Sequence, residues 1–461
     1  MQAKQVKKVC IIGAGSSGIA AAKVLHTNGI PFDCFEKGSA IGGNWRYEND
    51  NGMSSAYRSL HINTSRRMMA YSDFPMPDDY PDFPHHSQII RYFEAYVRHF
   101  GLEDKITFNT SVEEVRKESD GTYTVLTDRG HRQSYRAVLV CNGHHWNPRW
   151  PEPAFPGNFE GEVLHSHDYK TPDILLNKNV LVVGIGNSAV DIACEAARLH
   201  TGRVFISTRS GAYIFPNYLM GKPFDELGKD VPHWLPFWMK RQLLEFSLWL
   251  ARGRQEDYGV PKPKRKLLAE HPTNSQDLLN LAGRGLVQFK PNIQQLEGRQ
   301  VLFEDGSRMA FDLIIYCTGY KITFPFFKQK EFLDAVKIEQ DNDLQLYRRV
   351  VHPDHPGLFF IGLIQPLGAI MPLAELQSQW VAKLLTGEVA LPDAEFMRLD
   401  IQRESQKVAQ RYKASKRHTI QVDFMDYKIL IEQEMRRMRS GQLPSRPLAK
   451  AAKPQPEASL A

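Results

Sequence analysis

Two glycine-rich turns of the dinucleotide-binding type occur in this chain, and a different residue type follows each of them at the ribose-reading position. The first glycine turn reads Gly13-Ala14-Gly15-Ser16-Ser17-Gly18, and Glu36 stands eighteen residues after its last glycine. The second glycine turn reads Gly184-Ile185-Gly186-Asn187-Ser188-Ala189, and Arg209 stands twenty residues after Ala189. An apolar strand pattern precedes each turn and a helical pattern follows it, which is the context that this fingerprint requires. The sequence therefore predicts two separate nucleotide sites.

The residues at the ribose-reading positions distinguish the two sites. A carboxylate such as Glu36 accepts hydrogen bonds from a free ribose diol, whereas a guanidinium such as Arg209 pairs with a 2′-phosphate. The hydroxyls of Ser207-Thr208-Arg209-Ser210 also suit a phosphate. A cofactor with a bare ribose and one with a phosphorylated ribose are, as a natural pair, FAD and NADPH. A chain that holds both is expected to be a flavin oxidoreductase.

A third glycine-containing segment, Gly42-Gly43-Asn44-Trp45, follows the second strand. Its glycine pair allows backbone amides to approach a pyrophosphate closely, because glycine has no side chain. Trp45 is placed to pack near a flavin or its ribityl chain. We therefore assign this segment to the FAD site.

The order of elements predicts an α/β fold with two Rossmann-like dinucleotide-binding domains. Strand, glycine turn, helix and strand recur around each fingerprint. Each unit closes with an apolar strand that ends in a polar residue and a glycine, at Asn142-Gly143 and at Thr318-Gly319. We expect the NADP-binding domain, residues 173–322, to be inserted into an FAD-binding domain made of residues 1–172 and 323–440.

The pattern lapses near residues 224–274, where we expect a helical insert. Several aromatic residues cluster near a helix predicted over residues 238–251. Our first interpretation is a core helix that covers the inserted domain. The alternatives are a lid over a substrate tunnel and a helix that lies on a membrane surface. Residues 441–461 are rich in Pro, Ala and Lys, and we expect them to be a disordered tail.

Composition excludes several other classes of function. The net charge of +6 suits anionic cofactors, but the basic residues are not concentrated as in a nucleic-acid-binding protein. The five cysteines contain no CxxC pair, which argues against a dithiol redox centre and favours a reducing, cytoplasmic setting. No signal segment and no run of 18 uncharged apolar residues is seen, so we expect no integral membrane span. The histidine pairs lack the spacing and partners of a metal site, and no metal is expected.

Residues 159–169 match the FxGxxxHxxx[Y/F] signature in full, with His165 and Tyr169 at its two last defined positions. Through this segment the chain resembles the flavin-containing monooxygenases, which are class B flavoprotein monooxygenases. The segments 60–65, 72–75, 312–320 and 359–370 are also similar to that family. The resemblance extends from about Lys8 to Gly387, with the linkers in order.

The resemblance implies an activity and roles for individual residues. Members of the family use NADPH and O₂ to oxygenate soft nitrogen or sulfur nucleophiles through a C(4a)-hydroperoxyflavin, an activity of the N,N-dimethylaniline monooxygenase type. Asn63 is implied to be the catalytic asparagine, beside the flavin and the nicotinamide, and Asn187 is implied to face the flavin. His165 and Tyr169 are implied to couple NADP binding to domain position. The implied partners are a small nucleophilic substrate and O₂, with a homodimer as the assembly that the family favours.

The predicted cofactor-binding residues form two sets. Those of the FAD site are Gly13, Gly15, Ser16, Ser17, Gly18, Glu36, Gly43, Asn44, Trp45, Ile62, Asn63, Thr64 and Gln365, the last near the flavin pyrimidine. Those of the NADP site are Gly184, Gly186, Asn187, Ser188, Ala189 and Arg209.

Two departures from the family pattern bear on function. The membrane-bound animal members carry a longer C-terminus that ends in an apolar helix, and without one this chain is expected to be a soluble member. The related Baeyer–Villiger monooxygenases have tryptophan where this chain has Tyr169, which favours heteroatom oxidation over ester formation. A Baeyer–Villiger or N-hydroxylating monooxygenase remains the alternative enzyme. A redox sensor that binds FAD and NADPH without turnover is the alternative outside enzymes.

Overall fold

The computed structural model describes residues 8–199, 202–227, 235–269, 271–328, 345–411 and 420–437. The predicted tail, residues 441–461, lies outside these ranges. The strands are β1 Val9–Ile12, β2 Phe32–Phe35, β3 Ile106–Thr107, β4 Val112–Lys117, β5 Tyr123–Thr127, β6 Arg132–Tyr135, β7 Ala137–Val140, β8 Asn147–Pro148, β9 Gly157–Phe159, β10 Glu162–His165, β11 Val180–Val183, β12 Val204–Ser207, β13 Ile214–Phe215, β14 Tyr218–Leu219, β15 Lys222–Pro223, β16 Thr273–Asn274, β17 Val287–Lys290, β18 Ile293–Gly298, β19 Gln300–Phe303, β20 Arg308–Ala310, β21 Leu313–Tyr316, β22 Tyr320–Lys321, β23 Leu358–Phe360, β24 Gln365–Leu367 and β25 Gln421–Asp423. The helices are α1 Ser16–Thr27, α2 Arg66–Met69, α3 His86–His99, α4 Asn187–Arg198, α5 Phe224–Leu227, α6 Phe237–Arg252, α7 Leu278–Gly283, α8 Met371–Thr386, α9 Ala394–Arg411 and α10 Phe424–Met435.

Two five-stranded sheets form the frame of the molecule. The first has the strand order β23-β7-β1-β2-β3, and the second has the order β10-β21-β11-β12-β17. All neighbouring strands in both sheets are parallel. Along the chain, the strands of the second sheet come after β7 and before β23. The predicted α/β class with parallel sheets is confirmed.

The central strand of each sheet is apolar along its whole length. All four residues of β1 and all four residues of β11 are buried. A strand of a parallel sheet is covered on both faces, so it has no polar side to alternate with. Helix α1 follows β1 and packs against α8, while α4 follows β11 and packs against β12. Each glycine turn is thereby held at the carboxyl end of a buried strand, where a ligand meets an open α/β sheet.

Strand pairing divides the chain at a different point from the predicted limit at residue 173. Strand β10 pairs with β21 in the second sheet, and β9 pairs with β18 beside it. Strands β8 and β22 pair with each other in antiparallel fashion, so the segments that enter and leave the second unit run side by side. The FxGxxxHxxx[Y/F] segment at residues 159–169 therefore begins inside the second unit, because its first residues form the end of β9 and then β10.

Helix α6 matches the predicted helix within one residue at each end, but its predicted burial is wrong. Leu248 is the buried residue of the helix, and it packs with Phe215 and Leu267. The side chains of Trp238, Phe246 and Trp249 are 55%, 57% and 54% exposed. Apolar residues cover more of the circumference of α6 than a single packing stripe can bury.

Three properties of the described ranges bear on membranes, metals and thiols. None of the helices there has the length and apolarity needed to cross a bilayer. The same part of the chain holds no group of three His, Cys, Asp or Glu side chains placed around a metal ion. All five cysteines are buried free thiols, and burial raises the pKa of each, for example that of Cys141.

Candidate cofactor and active site

Close backbone contacts shape the first glycine turn. Gly13 has a φ of +97°, and a Cβ atom there would lie 2.8 Å from the carbonyl oxygen of Cys141. A Cβ atom at Gly18 would lie 1.9 Å from the carbonyl oxygen of Gly13. Helix α1 therefore packs directly on the turn that precedes it. This is the role that the last glycine of the fingerprint has in close helix–strand packing.

The loop formed by residues 42–45 lies against the first glycine turn. The N–H of Gly42 donates to the carbonyl of Ala14 at 3.1 Å, and a Cβ atom at Gly43 would lie 3.0 Å from the Cα of Gly15. Helix α1 begins after Gly15 with no acidic residue in its first turn and no side-chain cap. Its free N–H groups and positive dipole end fit an anion such as a pyrophosphate.

Glu36 is fixed beside the same turn, at the end of β2. Its side chain is buried, and Oε2 accepts a hydrogen bond from the N–H of Ala14 at 2.7 Å. Oε1 accepts from the N–H of Gly38 at 2.8 Å and from Nδ2 of Asn51 at 3.2 Å. A carboxylate offers about four acceptor positions, so these three donors leave room for a ribose hydroxyl.

Asn44 and Trp45 occupy the loop in different ways. The side-chain Oδ1 of Asn44 accepts from both the N–H and the hydroxyl of Ser55, each at 2.8 Å. This side chain therefore braces the loop, and its remaining NH₂ group is the part that can meet a ligand. Trp45 is half-buried and packs against the core of the first sheet.

The second glycine turn repeats the geometry with more open space. Gly184 has a φ of +124°, and a Cβ atom there would lie 2.5 Å from the carbonyl oxygen of Cys317. Gly186 is exposed, and a Cβ atom there would have no protein atom within 4 Å. Helix α4 begins after Gly186 and has no acidic residue in its first turn. In that first turn, Ser188 is half-buried and Ala189 is buried. This helix terminus also fits an anionic group.

Arg209 lies just after β12 and its side chain is exposed. The hydroxyl of Thr208 accepts from the N–H of Gly211 at 3.2 Å, which shapes the turn around it. The prediction that the Ser207 hydroxyl suits a phosphate is wrong. Ser207 is buried, and its hydroxyl donates to the carbonyl of Pro291 at 2.7 Å.

Asn63 and Asn187 are brought into one network by a residue that sequence reasoning missed. Nδ2 of Asn274 donates to the carbonyl oxygen of Asn63 at 3.1 Å. The backbone N–H of Asn274 donates to Oδ1 of Asn187 at 2.9 Å. Asn63 is half-buried, between the buried residues Ile62 and Thr64. Asn274 lies in the short strand β16, which has no motif that could have identified it.

Asp225 of the insert also contacts the Asn63 loop and was missed. Its Oδ2 accepts from the N–H of Ser65 at 2.7 Å and from the hydroxyl of Ser65 at 3.0 Å. Burial raises the pKa of the Asp225 carboxyl, and the hydrogen bonds from Ser65 oppose that rise. The insert is thus joined to the loop beside Asn63.

Gln365 stands at the start of β24 and is half-buried. Its N–H donates to the carbonyl of Ile420 at 2.8 Å. Three residues earlier, a Cβ atom at Gly362 would lie 2.0 Å from Oγ of Ser17, so this loop lies against the first glycine turn. The placement of Gln365 near a flavin pyrimidine stays a prediction.

Tyr169 of the signature and Tyr57 both contact helix α4. His165 is fully buried, and burial lowers its pKa to about 4, so its ring is neutral at physiological pH. The Tyr169 hydroxyl donates to Glu195 at 2.5 Å, and the Tyr57 hydroxyl donates to Asp191 at 2.5 Å. Because α4 begins at the second glycine turn, these contacts tie Tyr169 of the signature, together with Tyr57, to the position of that turn.

Comparison with known proteins identifies the family. The model of the flavin-binding monooxygenase-like family matches residues 6–437 of this chain. The chain belongs to the flavin-binding monooxygenase-like family. It is 40% identical to flavin-containing monooxygenase 5 of Rattus norvegicus and 37% identical to flavin-containing monooxygenase 2 of Homo sapiens. Each alignment covers 91% of this chain and 81% of the relative.

Solved structures of other monooxygenases share the fold. The S-allyl-L-cysteine S-oxygenase of Allium sativum is 26% identical, with a TM-score of 0.69 over 94% of this chain and 89% of that one. An oxidised steroid monooxygenase bound to NADP gives a TM-score of 0.68 at 18% identity, over 93% and 98% of the two chains.

Family membership makes this chain a flavin-dependent monooxygenase whose cofactors are FAD and NADPH. The two glycine turns fit those groups, because the helix that follows each turn has no acidic residue in its first turn.

Proposed function

We propose that this flavin-binding monooxygenase uses NADPH and O₂ to oxygenate soft nitrogen or sulfur nucleophiles of small molecules. The observation that carries the proposal is similarity along 91% of the chain to relatives that include the dimethylaniline monooxygenase [N-oxide-forming] 2 of Pan troglodytes. The likeness to an S-allyl-L-cysteine S-oxygenase supports sulfur as well as nitrogen. Tyr169 supports heteroatom oxidation because the related Baeyer–Villiger monooxygenases have tryptophan at this position; here its hydroxyl donates to Glu195.

The two cofactors are assigned to the two five-stranded sheets. The first sheet, with residues 8–156 and 323–437, would bind FAD, and the second, with residues 157–322, would bind NADPH. This moves the predicted limit at residue 173 to the start of β9, because strand pairing is the observation that separates the units. The placement of β10 to β21 between β7 and β23 supports the insertion of the NADP unit into the FAD unit.

Each proposed binding residue has a physical task. Bound FAD supplies the redox chemistry, since it accepts hydride from NADPH and activates O₂. The helix termini after Gly15 and Gly186 stabilise the two pyrophosphates, Glu36 accepts from the FAD ribose, and Arg209 pairs with the NADPH phosphate. The amide of Asn63 both donates and accepts, so it can orient the nicotinamide and stabilise negative charge that develops on oxygen.

The proposed activity is tested with a sulfide, a tertiary amine, a primary amine and a ketone as substrates. We expect sulfoxide and N-oxide as the main products, each formed with consumption of NADPH and O₂. Mass spectrometry of the products and the ratio of product to NADPH give the answer. An ester as the dominant product would instead establish a Baeyer–Villiger enzyme, and a hydroxylamine from the primary amine an N-hydroxylating one.

Arg209→Ala is expected to reduce the preference for NADPH over NADH. A charge-assisted hydrogen bond contributes about 1.5–3 kcal/mol, which corresponds to an increase of about 10- to 150-fold in the KM for NADPH. NADH lacks the 2′-phosphate, so its use should change little. Steady-state rates with both nucleotides measure the effect.

Arg203→Ala is the matched control for this variant, because Arg203 is an exposed arginine at the opposite end of β12. It should leave both nucleotides unaffected. An unchanged NADPH-to-NADH ratio in Arg209→Ala would mean that another residue binds the phosphate.

We further propose a cytoplasmic enzyme that acts as a homodimer. Five buried free thiols suit a reducing compartment, and the homodimer rests on the family resemblance alone. Cell fractionation and light scattering of the purified enzyme test the two statements. Recovery only in a detergent-requiring pellet would contradict the first, and a monomeric mass the second.

A further inference from the structure

We propose that Asn274 is a positioning residue that fixes the Asn63 loop against Asn187, and so sets how efficiently NADPH oxidation is coupled to oxygenation. The inference rests on the proposed function and adds a residue for which no role was predicted. The side-chain Nδ2 of Asn274 donates to the backbone carbonyl oxygen of Asn63 at 3.1 Å. The backbone N–H of Asn274 donates to Oδ1 of Asn187 at 2.9 Å.

The segment around Asn274 is itself firmly anchored. The hydroxyl of Thr273 donates to the carbonyl of Ile185, inside the second glycine turn, at 2.6 Å, and Thr273 is 2% exposed. Backbone bonds run from Thr273 to Tyr213 at 3.0 Å and from Ser275 to Phe215 at 2.8 Å. Asn274 therefore occupies a fixed place and can impose its position on its partners.

The same segment also reaches the Gln365 loop. His271 is half-buried, and its Nδ1 hydrogen-bonds with the carbonyl oxygen of Pro272 at 2.8 Å, while the backbone of Pro366, the residue after Gln365, acts to raise its pKa. Burial lowers the pKa of His271 in spite of these two interactions. Residues 271–274 thus interact with the second glycine turn, the Asn63 loop and the Gln365 loop.

The two hydrogen bonds of Asn274 leave the reactive ends of its partners available. The bond to Asn63 uses the backbone carbonyl of that residue, so the Asn63 amide stays available to face a ligand. The bond to Asn187 uses Oδ1, so the NH₂ group of Asn187 remains as a donor. Asn274 therefore orients both asparagines without competing with the cofactors for them.

The two bonds can be separated by substitution, since one is made by the side chain and the other by the backbone. Asn274→Ala removes only the bond to Asn63. We expect product formed per NADPH to fall by about 3- to 10-fold, the range for one neutral hydrogen bond, with hydrogen peroxide accounting for the lost electrons. The FAD content and the KM for NADPH should stay within about 2-fold of wild type, because neither pyrophosphate site is touched.

Asn274→Asp distinguishes a positioning role from a packing role. It keeps the shape of the side chain but replaces the NH₂ donor with a carboxylate oxygen that repels the Asn63 carbonyl. A packing role predicts that Asp behaves as wild type and Ala does not, whereas a positioning role predicts that both variants are uncoupled. Asn292→Ala is the matched control, because Asn292 donates from Nδ2 to Glu304 at 3.2 Å on the surface of the second unit.

A second readout is independent of turnover. Titration of the FAD-loaded enzyme with NADP⁺ should perturb the visible absorbance of the flavin in wild type and in Asn292→Ala. In Asn274→Ala and Asn274→Asp the perturbation should be smaller at saturation. If wild type oxygenates no nitrogen or sulfur compound, the proposed function fails, while this titration still decides on Asn274. Wild-type coupling and a wild-type spectral change in Asn274→Asp would overturn the inference.

Discussion

Gly18→Ala is expected to yield a chain that purifies without bound FAD. A Cβ atom at this position would lie 1.9 Å from the carbonyl oxygen of Gly13 and 2.8 Å from the carbonyl carbon of Gly13. Both are backbone atoms, so relief requires helix α1 to move away from the first glycine turn. Overpacking of a close contact costs about 1–3 kcal/mol and sometimes more. The same displacement would separate the N–H groups of α1 from the pyrophosphate that they are proposed to hold.

The measurement is the ratio of flavin absorbance to protein absorbance after purification, with circular dichroism to show that the chain is folded. Gly186→Ala is the matched control, because a Cβ atom there meets no protein atom within 4 Å and its φ of −78° suits any residue. This control should stay yellow, with stoichiometric FAD, and bind NADPH more weakly. Stoichiometric FAD in Gly18→Ala would remove the first glycine turn from the FAD site.

The central strands and helices of the fold could be predicted because short, continuous stretches of sequence specify them. A glycine turn specifies an apolar strand before it and a helix after it, so β1, α1, β11 and α4 follow from short stretches of sequence. The same spacing placed Glu36 beside the first turn, where its carboxylate is found. The buried strands needed no alternation pattern, because both faces of a parallel sheet are covered.

The parts that could not be predicted depend on contacts between distant segments. Strand β10 looks like a continuation of the first unit until its pairing with β21 is known. Asn274 gains its significance only from its distances to Asn63 and Asn187, which lie 211 and 87 residues away along the chain. The apolar residues of α6 predicted burial, but a hydrophobic pattern does not specify whether a partner surface exists within the same chain.

Asn63→Asp is expected to abolish most substrate oxygenation while leaving FAD bound. Asn63 is half-buried at the point where the Asn274 and Asp225 contacts meet its loop. The substitution keeps the size of the side chain but removes its NH₂ donor. An exposed aspartate has a pKa of about 3.9, so the new group would be negatively charged near neutral pH.

The physical reason for the loss is electrostatic. Oxygen transfer builds negative charge on oxygen, and a fixed donor stabilises that charge where a carboxylate would repel it. Loss of one such donor lowers kcat by about 10²- to 10³-fold in other enzymes, and the added charge acts in the same direction. NADPH should still be consumed, but more slowly, because the nicotinamide loses one orienting contact, and the electrons should appear as hydrogen peroxide.

The decisive measurement is therefore product formed per NADPH consumed, with peroxide determined in parallel and FAD content as the check on folding. Asn28→Asp is the matched control, since Asn28 donates from Nδ2 to the carbonyl of Val24 at the end of α1, away from the site. It loses one amide donor and gains one charge, as Asn63→Asp does, but it should oxygenate like wild type.

Comparison with Asn274→Ala then separates two causes of uncoupling. Asn274→Ala only displaces Asn63, so it should lower the product yield by the smaller factor that one neutral hydrogen bond accounts for. Asn63→Asp puts a charged side chain at the site, so it should lower the yield by the larger factor. Equal and wild-type-like coupling in Asn63→Asp and Asn28→Asp would remove Asn63 from the catalytic residues.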